Sequence, residues 1–481
     1  MTEGMSSRGN KGFHRGKGPS LSGWAALAVL LALLAWSGPA VAVDRFPRPD
    51  FQQFQMPEVS KPGPLALVWE YIDVIYLAAA LALATWLALV RRSRKGLFVL
   101  AMVSLAWLGF WRKGCVCSIG AIQNVALAVA DPSYVLPLSV VAIFLLPLLA
   151  TLFFGRTFCA SVCPLGAVQE LVVLKPLRVP LWLEHALGLV PYLYLGAAVV
   201  FAATGTMFLI CQYDPFVGFF RLSAPATMLV YGACFLLIGV FVGRPYCRFL
   251  CPYGALLGLL SKASKRHVRI PPEECINCRL CEDACPYNAI QPPTVPLSPQ
   301  ERTRGRRRLA LLLAASPLLV GLGVYLGGRL AVPLAAAHPV VRLAEDVRQT
   351  EIEKSSVAEE PTDDAAAAAA EELKRRNDAV EAFANTRRPA RELYLQAVDL
   401  RDRFAVAGAW LGGWVGLVLA VKLIALSIRR RRTEYLPDQA NCVSCGRCFW
   451  YCPKEQLRLG LIQEIPADLT RPVSGVADGQ G

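Results

Sequence analysis

Long apolar runs recur along the chain and alternate with short polar segments, many of them basic. As helices, such runs cross the roughly 30 Å hydrocarbon core of a bilayer. From an outside start we predict seven alternating spans, at about 65–90, 96–111, 135–154, 187–210, 225–243, 308–333 and 404–428. The hydropathy pattern therefore predicts an α-helical polytopic membrane protein, and a hydrophobic content of 55% agrees with it.

The N-terminal segment 1–42 has the layout of an export signal. A basic stretch with Arg8 and Lys11 precedes an apolar run at 24–36, and the small residues "AVA" end at Ala42. This order is typical of a signal peptide or, uncleaved, of a signal anchor. Either way we expect 43–64 to be a short exported segment.

The basic residues explain the net charge of +14 without a nucleic-acid partner. They cluster at the ends of apolar runs, as "RRSRK" (91–95), "RTRGRRR" (302–308) and "RRRR" (429–432). All three clusters fall on the cytoplasmic side of the seven-span layout, as the positive-inside rule requires. Arg112 and Lys113 fall on the other side, so the short second span is also a candidate re-entrant segment.

The segment 334–403 between the last two spans differs in composition. Its stretch 363–383 is rich in strong helix formers, with acidic residues first and basic residues later. We predict an exported helical insertion, either a solvated connection between the spans 308–333 and 404–428 or a docking surface for an exported partner. The tail 468–481 is expected to be disordered.

The spans 308–333 and 404–428 with their connection form a transmembrane hairpin. Two motifs of the form C-x2-C-x2-C-x3-C-P lie on either side of it, in segments 265–300 and 436–467. Three cysteines spaced by two residues wrap a loop around one corner of an iron–sulfur cube. Zinc also uses C-x2-C, but usually as two pairs separated by a longer loop. The spacing therefore predicts two 4Fe-4S clusters on the cytoplasmic side, where disulfides are disfavoured.

The fourth cysteine of each motif points toward the neighbouring cluster in two-cluster ferredoxins. We therefore predict one ferredoxin-like α+β domain, split by a transmembrane hairpin, with crossed ligand sets. The predicted sets are Cys275, Cys278, Cys281, Cys452 and Cys442, Cys445, Cys448, Cys285. If the halves are instead separate one-cluster domains, each uses its own four cysteines.

A second motif, G-R-x-x-C-x3-C-P-x-G-A, occurs twice in the five-span membrane domain 65–264. The copies begin at Gly155 and Gly243, and a degenerate copy beginning at Lys113 aligns Cys117 with the last cysteine of each. Cysteines four apart share one face of a helix. We predict that four cysteines meet as a cluster or a redox-active thiol site; they are Cys159, Cys163, Cys247 and Cys251. The alternative is passive packing around a tight turn.

The remaining cysteines divide by depth. Cys115, Cys117 and Cys211 are predicted near the outer face. Either the three bind a metal or another cofactor, or Cys115 or Cys117 forms a disulfide with Cys211. Asp214 lies nearby in sequence, and Arg112 and Lys113 are candidates to stabilise thiolates or an anionic cluster. Cys234, in the middle of a span, is expected to be a small core residue.

Two acids, Glu70 and Asp73, fall three residues apart at the outer end of the first span. Intramembrane acids often mark proton or quinone pathways. The alternative is that the helix begins after them.

Several chemistries are disfavoured by missing motifs. The chain has four histidines and none lies clearly within a span, which argues against a bis-histidine haem in the membrane. No C-x-x-C precedes a histidine, so attached c-type haem is not expected. The sequence also lacks a Walker loop and a convincing dinucleotide fingerprint.

The pairs "FCASVCPLGA" and "YCRFLCPYGA", followed by "CINCRLCEDACP", resemble the NosR/NapH-type membrane ferredoxins over roughly residues 65–290. The resemblance implies a bacterial inner-membrane protein that links the quinone pool or cytoplasmic donors to exported reductases. It matches Cys159, Cys163, Cys247 and Cys251 with the family's membrane-edge cysteines, and the two longer motifs with its cluster ligands. The segment 43–64 is too short for the exported flavin-binding domain of NosR-type proteins.

These features predict a membrane-bound iron–sulfur electron-transfer protein, within a multi-protein complex and in contact with membrane lipid. Two 4Fe-4S clusters are expected, and one or two further clusters and a quinone are candidate cofactors. The chain is also a candidate quinol dehydrogenase subunit. The alternative from another class is a scaffold, maturation or redox-sensing component of a respiratory complex. A substrate transporter has only the internal repeats in its favour.

Overall fold

The computed structural model describes residues 67–465 apart from residues 115, 175, 206, 222–225, 271–274, 295, 297, 337, 356–377 and 429. The predicted signal segment 1–42, the segment 43–64 and the tail 468–481 lie outside the described residues. So do Cys115 and most of the helix-forming stretch 363–383.

The described part of the membrane domain contains thirteen α-helices, several of them shorter than the thickness of a bilayer. The helices are α1 Leu67–Thr85, α2 Arg94–Ser104, α3 Ser118–Ala130, α4 Leu138–Phe154, α5 Thr157–Ser161, α6 Pro164–Val172, α7 Leu181–Leu187, α8 Val190–Ala203, α9 Leu209–Tyr213, α10 Val217–Arg221, α11 Ala226–Phe241, α12 Pro245–Phe249 and α13 Pro252–Ser261. Trp86–Val90 and Leu105–Trp111 continue α1 and α2 as π-helical turns.

The remainder comprises two short ferredoxin segments and the long hairpin between them. The elements are α14 Leu280–Asp283, β1 Ile290–Gln291, α15 Pro299–Ala336, α16 Pro339–Ser355, α17 at 378–385, α18 Ala390–Ser427, β2 Leu436–Pro437, α19 Arg447–Trp450 and α20 Pro453–Arg458. Sheet in the described part of the chain is limited to the β1–β2 pair. The chain is therefore mostly helical, with far less strand than an α+β domain suggests.

Among the described residues, five helical segments are long and apolar enough to cross a membrane. They are Val68–Val90, Arg94–Trp111, Leu181–Ala203, Pro299–Ala336 and Ala390–Ser427. The predicted spans at 135–154 and 225–243 correspond to the shorter apolar helices α4 and α11. Some helices extend beyond the predicted spans, since α18 begins at Ala390 and the span was predicted from about 404. A count of seven spans therefore stays a prediction.

The helices α15 and α18 form a hairpin of two 38-residue helices, each about 57 Å long at 1.5 Å per residue. Glycines face one another along the crossing, because a Cβ on Gly327 would overlap the carbonyl of Gly408 and one on Gly412 would overlap that of Gly323. Such glycine stripes let membrane helices approach closely. Leucines such as Leu318 are exposed on the outer face, where lipid replaces water.

We expect the variant Gly327→Leu to destabilise this hairpin and the variant Gly328→Leu to leave it intact. Gly327 touches the backbone of α18, whereas a Cβ on Gly328 meets nothing within 4 Å. Overpacking of this kind costs about 1–3 kcal/mol. Thermal denaturation of the detergent-solubilised protein measures the difference, and equal loss of stability in both variants would contradict the packing.

The hairpin docks on the membrane domain through an indole. Trp414 of α18 packs on Gly196 of α8, where a Cβ would overlap its ring. Its Nε1 donates a hydrogen bond to the Tyr192 carbonyl at 2.7 Å. Gly196 therefore permits the close approach that fixes α18 against α8.

The two ferredoxin segments meet at the end of this hairpin. β1 and β2 pair antiparallel, with Ile290 opposite Pro437. The Asp438 N–H donates to the Ala289 carbonyl, and the Arg432 N–H donates to Thr294 Oγ1 at 2.8 Å. The backbone thus joins segments that are far apart in sequence.

Candidate metal centres

The first ferredoxin site is a small cavity enclosed by both segments. Three cysteines of the first motif and one of the second line it, together with Ile270 and Tyr435. The four cysteines are Cys275, Cys278, Cys281 and Cys452. The fourth cysteine therefore comes from the segment beyond the hairpin.

The second ferredoxin site has the reciprocal composition. Its cavity is lined by three cysteines of the second motif and one of the first, beside Tyr287 and Ile290. The four cysteines are Cys285, Cys442, Cys445 and Cys448. Both cavities bring together the same groups of four that the crossed ligand sets contain.

The two cysteine loops share an unusual backbone conformation at matching positions. Asn277 and Ser444, each two residues after the first cysteine, have φ of 55°. Arg279 and Gly446, each directly after the second cysteine, have φ of 63° and 78°. These left-handed residues curl each loop around its cavity. The Asn277 N–H then points at Cys275 Sγ, at 3.4 Å.

Each of these sites supplies the four cysteines that a 4Fe-4S cluster requires. A single Zn²⁺ holds each thiolate at about 2.3 Å, so its ligands converge on a point. Within the described ranges no group of three or more His, Cys, Asp or Glu side chains converges in that way. A 4Fe-4S cluster instead takes four thiolates spread around a larger body, and backbone N–H groups stabilise its sulfurs.

The C-x3-C-P site is formed by Cys159, Cys163, Cys247 and Cys251. The motifs are not continuous helices, because α5 and α12 end before the second cysteine and a new helix starts there with proline at its first turn. The two pairs nevertheless share one buried core, and Gln169, six residues after Cys163, donates to Cys247 Sγ at 3.2 Å. Both cysteine pairs therefore lie at tight turns, and their meeting as a cluster or a thiol site stays a prediction.

Arg156, the arginine of the first G-R-x-x-C motif, links this site to the second ferredoxin site. Its guanidinium donates to Cys159 Sγ at 3.7 Å and to the Ala440 carbonyl at 2.7 Å. Ala440 lies two residues before Cys442. Because Arg156 is buried, its charge offsets thiolate charge with little screening by water.

Glu170 of α6 is the second link between the two sites. Its carboxylate accepts from Arg244 Nε at 3.2 Å and from Arg447 Nη2 at 2.7 Å. The Tyr287 hydroxyl donates to it at 2.8 Å, and Arg94 lies at 3.7 Å. Glu170 thus joins α6 and the G-R turn of the second copy to both ferredoxin segments.

Cys117 and Cys211 lie together, away from the ferredoxin segments. A Cβ on Gly120 would lie 3.3 Å from the Cys211 sulfur and 3.9 Å from the Cys117 sulfur, so both face the same small space. Both are free thiols. Cys115, predicted with them, lies outside the described residues, and Cys234 is a half-buried free thiol of α11.

Arg112, a candidate to stabilise these cysteines, has an acidic partner in the structure. It pairs with Asp73, donating from Nε at 2.7 Å and approaching from Nη2 at 2.6 Å. Helix α1 includes both predicted acids, so the alternative of a later helix start is wrong. Glu70 accepts a hydrogen bond from Ser139 at 2.7 Å. Each acid therefore has a structural partner.

Several residues of these sites had no predicted role. Arg156 and Arg244 are the repeated arginines of G-R-x-x-C, so the repeat itself was a signal for them. Gln169 Nε2 donates to Cys247 Sγ at 3.2 Å. In the sequence, the only indication of a role for Gln169 is that a glutamine, Gln123, occupies the matching position of the degenerate copy. Nothing local to "VQE" indicated that Glu170 would pair with arginines so distant in sequence.

Comparison with known proteins assigns iron–sulfur chemistry to much of this region. One family model described as "4Fe-4S binding domain" matches residues 136–184 and 224–271, which contain the C-x3-C-P cysteines. Another with the same description matches 268–291. No solved structure matches the chain significantly.

The chain spans less than half the length of three curated relatives that it matches. YccM of Escherichia coli K12 is 32% identical over 28% of this chain and 43% of that protein. NirI of Paracoccus denitrificans is 31% identical over 42% of this chain and 32% of its own. The regulatory protein NosR of Stutzerimonas stutzeri is 26% identical over 42% and 30%.

The chain resembles the NosR/NapH-type membrane ferredoxins in its 4Fe-4S binding domains. The resemblance seen in the cysteine motifs is thereby confirmed, together with the 4Fe-4S, ferredoxin and electron-transport character of the protein. The matches to the family models cover the C-x3-C-P pairs and the first ferredoxin motif, but not residues 115–117 or 211–214.

Proposed function

We propose that this protein is an electron conduit whose cysteine sites hold one-electron carriers in a row. The observation that carries the proposal is the adjacency of the sites. Cys159 packs against the same apolar cluster, around Tyr287 and Val443, as three cysteines of the second ferredoxin site. Cys281, Cys448 and Cys452 in turn share the core of the ferredoxin segments.

The ligands follow from the cavities. We assign Cys275, Cys278, Cys281 and Cys452 to one 4Fe-4S cluster and Cys285, Cys442, Cys445 and Cys448 to the other. We assign Cys159, Cys163, Cys247 and Cys251 to a third. When bound, such a cluster supplies a carrier for a single electron.

The protein itself supplies charge compensation and exclusion of water. Arg156 and Arg244 lie buried between the C-x3-C-P site and the second ferredoxin site. Their positive charge favours thiolates, and Glu170 in turn neutralises Arg244 so that no isolated cation remains. Gln169 adds an N–H donor to the Cys247 sulfur.

We place the ferredoxin segments on the cytoplasmic face of a bacterial plasma membrane. The supporting observation is that "RTRGRRR" lies in the first turns of α15 and "RRRR" follows α18, beside these segments. A cytoplasmic donor or the quinone pool would then be connected with an exported reductase, within a multi-protein complex. Quinol dehydrogenation belongs to the same proposal.

The alternative function is a redox-sensing or maturation component of a respiratory complex. It is favoured by the name of one relative, the regulatory protein NosR. Clusters confined to the ferredoxin segments would suit this function, because a sensor needs no carrier at the membrane helices.

The metal content of anaerobically purified protein distinguishes the two functions. We expect at least about twelve irons per chain, with matching acid-labile sulfide, because three cubes of four irons are assigned. EPR of the reduced sample should show interacting clusters. About eight irons would leave the C-x3-C-P site without a cluster and favour the alternative function.

A further inference from the structure

Three helices of the membrane domain begin at a cysteine in the same way. Cys117, Cys163 and Cys251 are the N-cap residues of α3, α6 and α13. A glycine follows three residues later in each, and the N–H of Gly120 and of Gly254 donates to the cysteine sulfur at 3.3 Å. The degenerate sequence copy is therefore a structural copy as well.

The partner of Cys117 is identified by a glutamine. Gln169, six residues after Cys163, accepts the N–H of Tyr246, the residue before Cys247, at 3.0 Å. Gln123, six residues after Cys117, accepts the N–H of Ile210, the residue before Cys211, at 2.9 Å. Cys211 thus holds the place that Cys247 holds in the C-x3-C-P site.

The next position in this correspondence is an aspartate. Cys247 is followed by Cys251-Pro252, and Cys211 is followed by Asp214-Pro215, one residue closer. Asp214 is buried, and it lines one cavity with Cys117, Gly120 and Cys211. Its Oδ1 accepts the Phe216 N–H at 2.9 Å, and its Oδ2 accepts from the Tyr246 hydroxyl at 3.3 Å.

The glutamine that accepts the N–H groups of Ile210 and Cys211 carries a buried donor without a partner among the described residues. Gln123 is fully buried, and its Nε2 has no hydrogen-bond partner among the described residues. The matching Nε2 of Gln169 donates to Leu165 and to the Cys247 sulfur. A buried amide N–H without a partner is costly, and an anionic ligand at Cys211 would satisfy it.

We propose that Cys117, Cys211 and Asp214 are ligands of a further iron–sulfur cluster, held by two thiolates and one carboxylate. The inference rests on the proposed function and extends it by one site. The new site adjoins the C-x3-C-P site, since Cys117 and Cys163 line one cavity and Tyr246 connects Asp214 with Cys247. The row of carriers therefore continues through the membrane domain, away from the ferredoxin segments.

The aspartate offers a direct test, because cysteine at this position would complete the likeness to the C-x3-C-P site. In anaerobically purified full-length protein we expect the variant Asp214→Cys to keep its iron while shifting the EPR g values and potential of one cluster. Replacement of a carboxylate by a thiolate changes the electronic character of the iron that it binds. The variant Cys211→Ser should lose the iron and acid-labile sulfide of one cluster, whereas Cys234→Ser, at a free thiol of α11, should lose none.

Spectra of Asp214→Cys identical to wild type, together with full iron in Cys211→Ser, would overturn the site. Asp214→Asn keeps an oxygen that can accept the Phe216 N–H. If that variant retains every EPR signal of the wild type, Asp214 only caps this turn and is not a cluster ligand. A Cys247→Ser variant tests the C-x3-C-P cluster separately, and so distinguishes failure of the further site from failure of the proposed function. If Cys247→Ser loses iron while the Cys211 and Asp214 variants do not, only the further site is wrong.

Discussion

Replacing Cys452 with alanine is expected to remove the cluster of Cys275, Cys278 and Cys281, although the hairpin separates it from them in sequence. The four side chains line one cavity, and Cys452 is the only one contributed by the second motif. Loss of a thiolate ligand should cost about four irons per chain, one cube. Iron, acid-labile sulfide and EPR of the reduced protein measure the loss.

Double variants identify which cluster has been lost. Cys452→Ala combined with Cys278→Ala should lose no more iron than either change alone, because both residues serve one site. Cys452→Ala combined with Cys445→Ala should lose twice as much. The reverse pattern would mean that each motif binds its own cluster, and the split domain would then be wrong. Cys234→Ala serves as the control for a lost thiol outside the sites.

Replacing Glu170 with glutamine is expected to weaken the junction between the membrane domain and both ferredoxin segments. The carboxylate neutralises Arg244 and Arg447, which are 2% and 17% exposed in their side chains. Removing one partner of a buried ion pair typically costs about 3–5 kcal/mol, because the remaining charges stay buried without compensation. Denaturation in detergent measures the loss, and a change in magnetic interaction between clusters reports the displaced junction.

A surface carboxylate provides the matched control for Glu170. Glu345 of α16 pairs with Arg348, whose side chain is 58% exposed. Exposed pairs contribute only about 0–1 kcal/mol. Glu345→Gln should therefore be nearly silent, and a Glu170→Gln variant as stable as Glu345→Gln would show that Glu170 does not hold the junction.

The contribution of Glu170 should also depend on pH in a defined direction. Burial by itself would raise its pKa, but Arg244, Arg447 and the Tyr287 hydroxyl outweigh burial and lower the pKa from 4.5 to about 2. A depressed pKa means that the stabilisation is complete above the unfolded-state pKa and disappears as the pH falls toward 2. The stability gap between wild type and Glu170→Gln should therefore narrow from about pH 4.5 downward.

Local patterns were enough to identify the chemistry and the class of the protein. Cysteine spacing in the ferredoxin motifs is a local property, because loop closure around a cluster depends on neighbouring residues. The long apolar runs likewise predicted spanning helices from length and composition. Helix ends were less well predicted, since α18 continues as a regular helix from Ala390 into its apolar part and no hydropathy change marks its start.

Sequence alone thus determined the membrane character, the iron–sulfur chemistry and the repeated cysteine pairs, because each is encoded by residues close together in the chain. Only the tertiary structure decided which residues compensate one another. Arg112 pairs with Asp73, and Glu170 contacts arginines from three segments that are distant in sequence. Buried charges must find partners wherever folding places them, and a linear pattern carries no information about those distances.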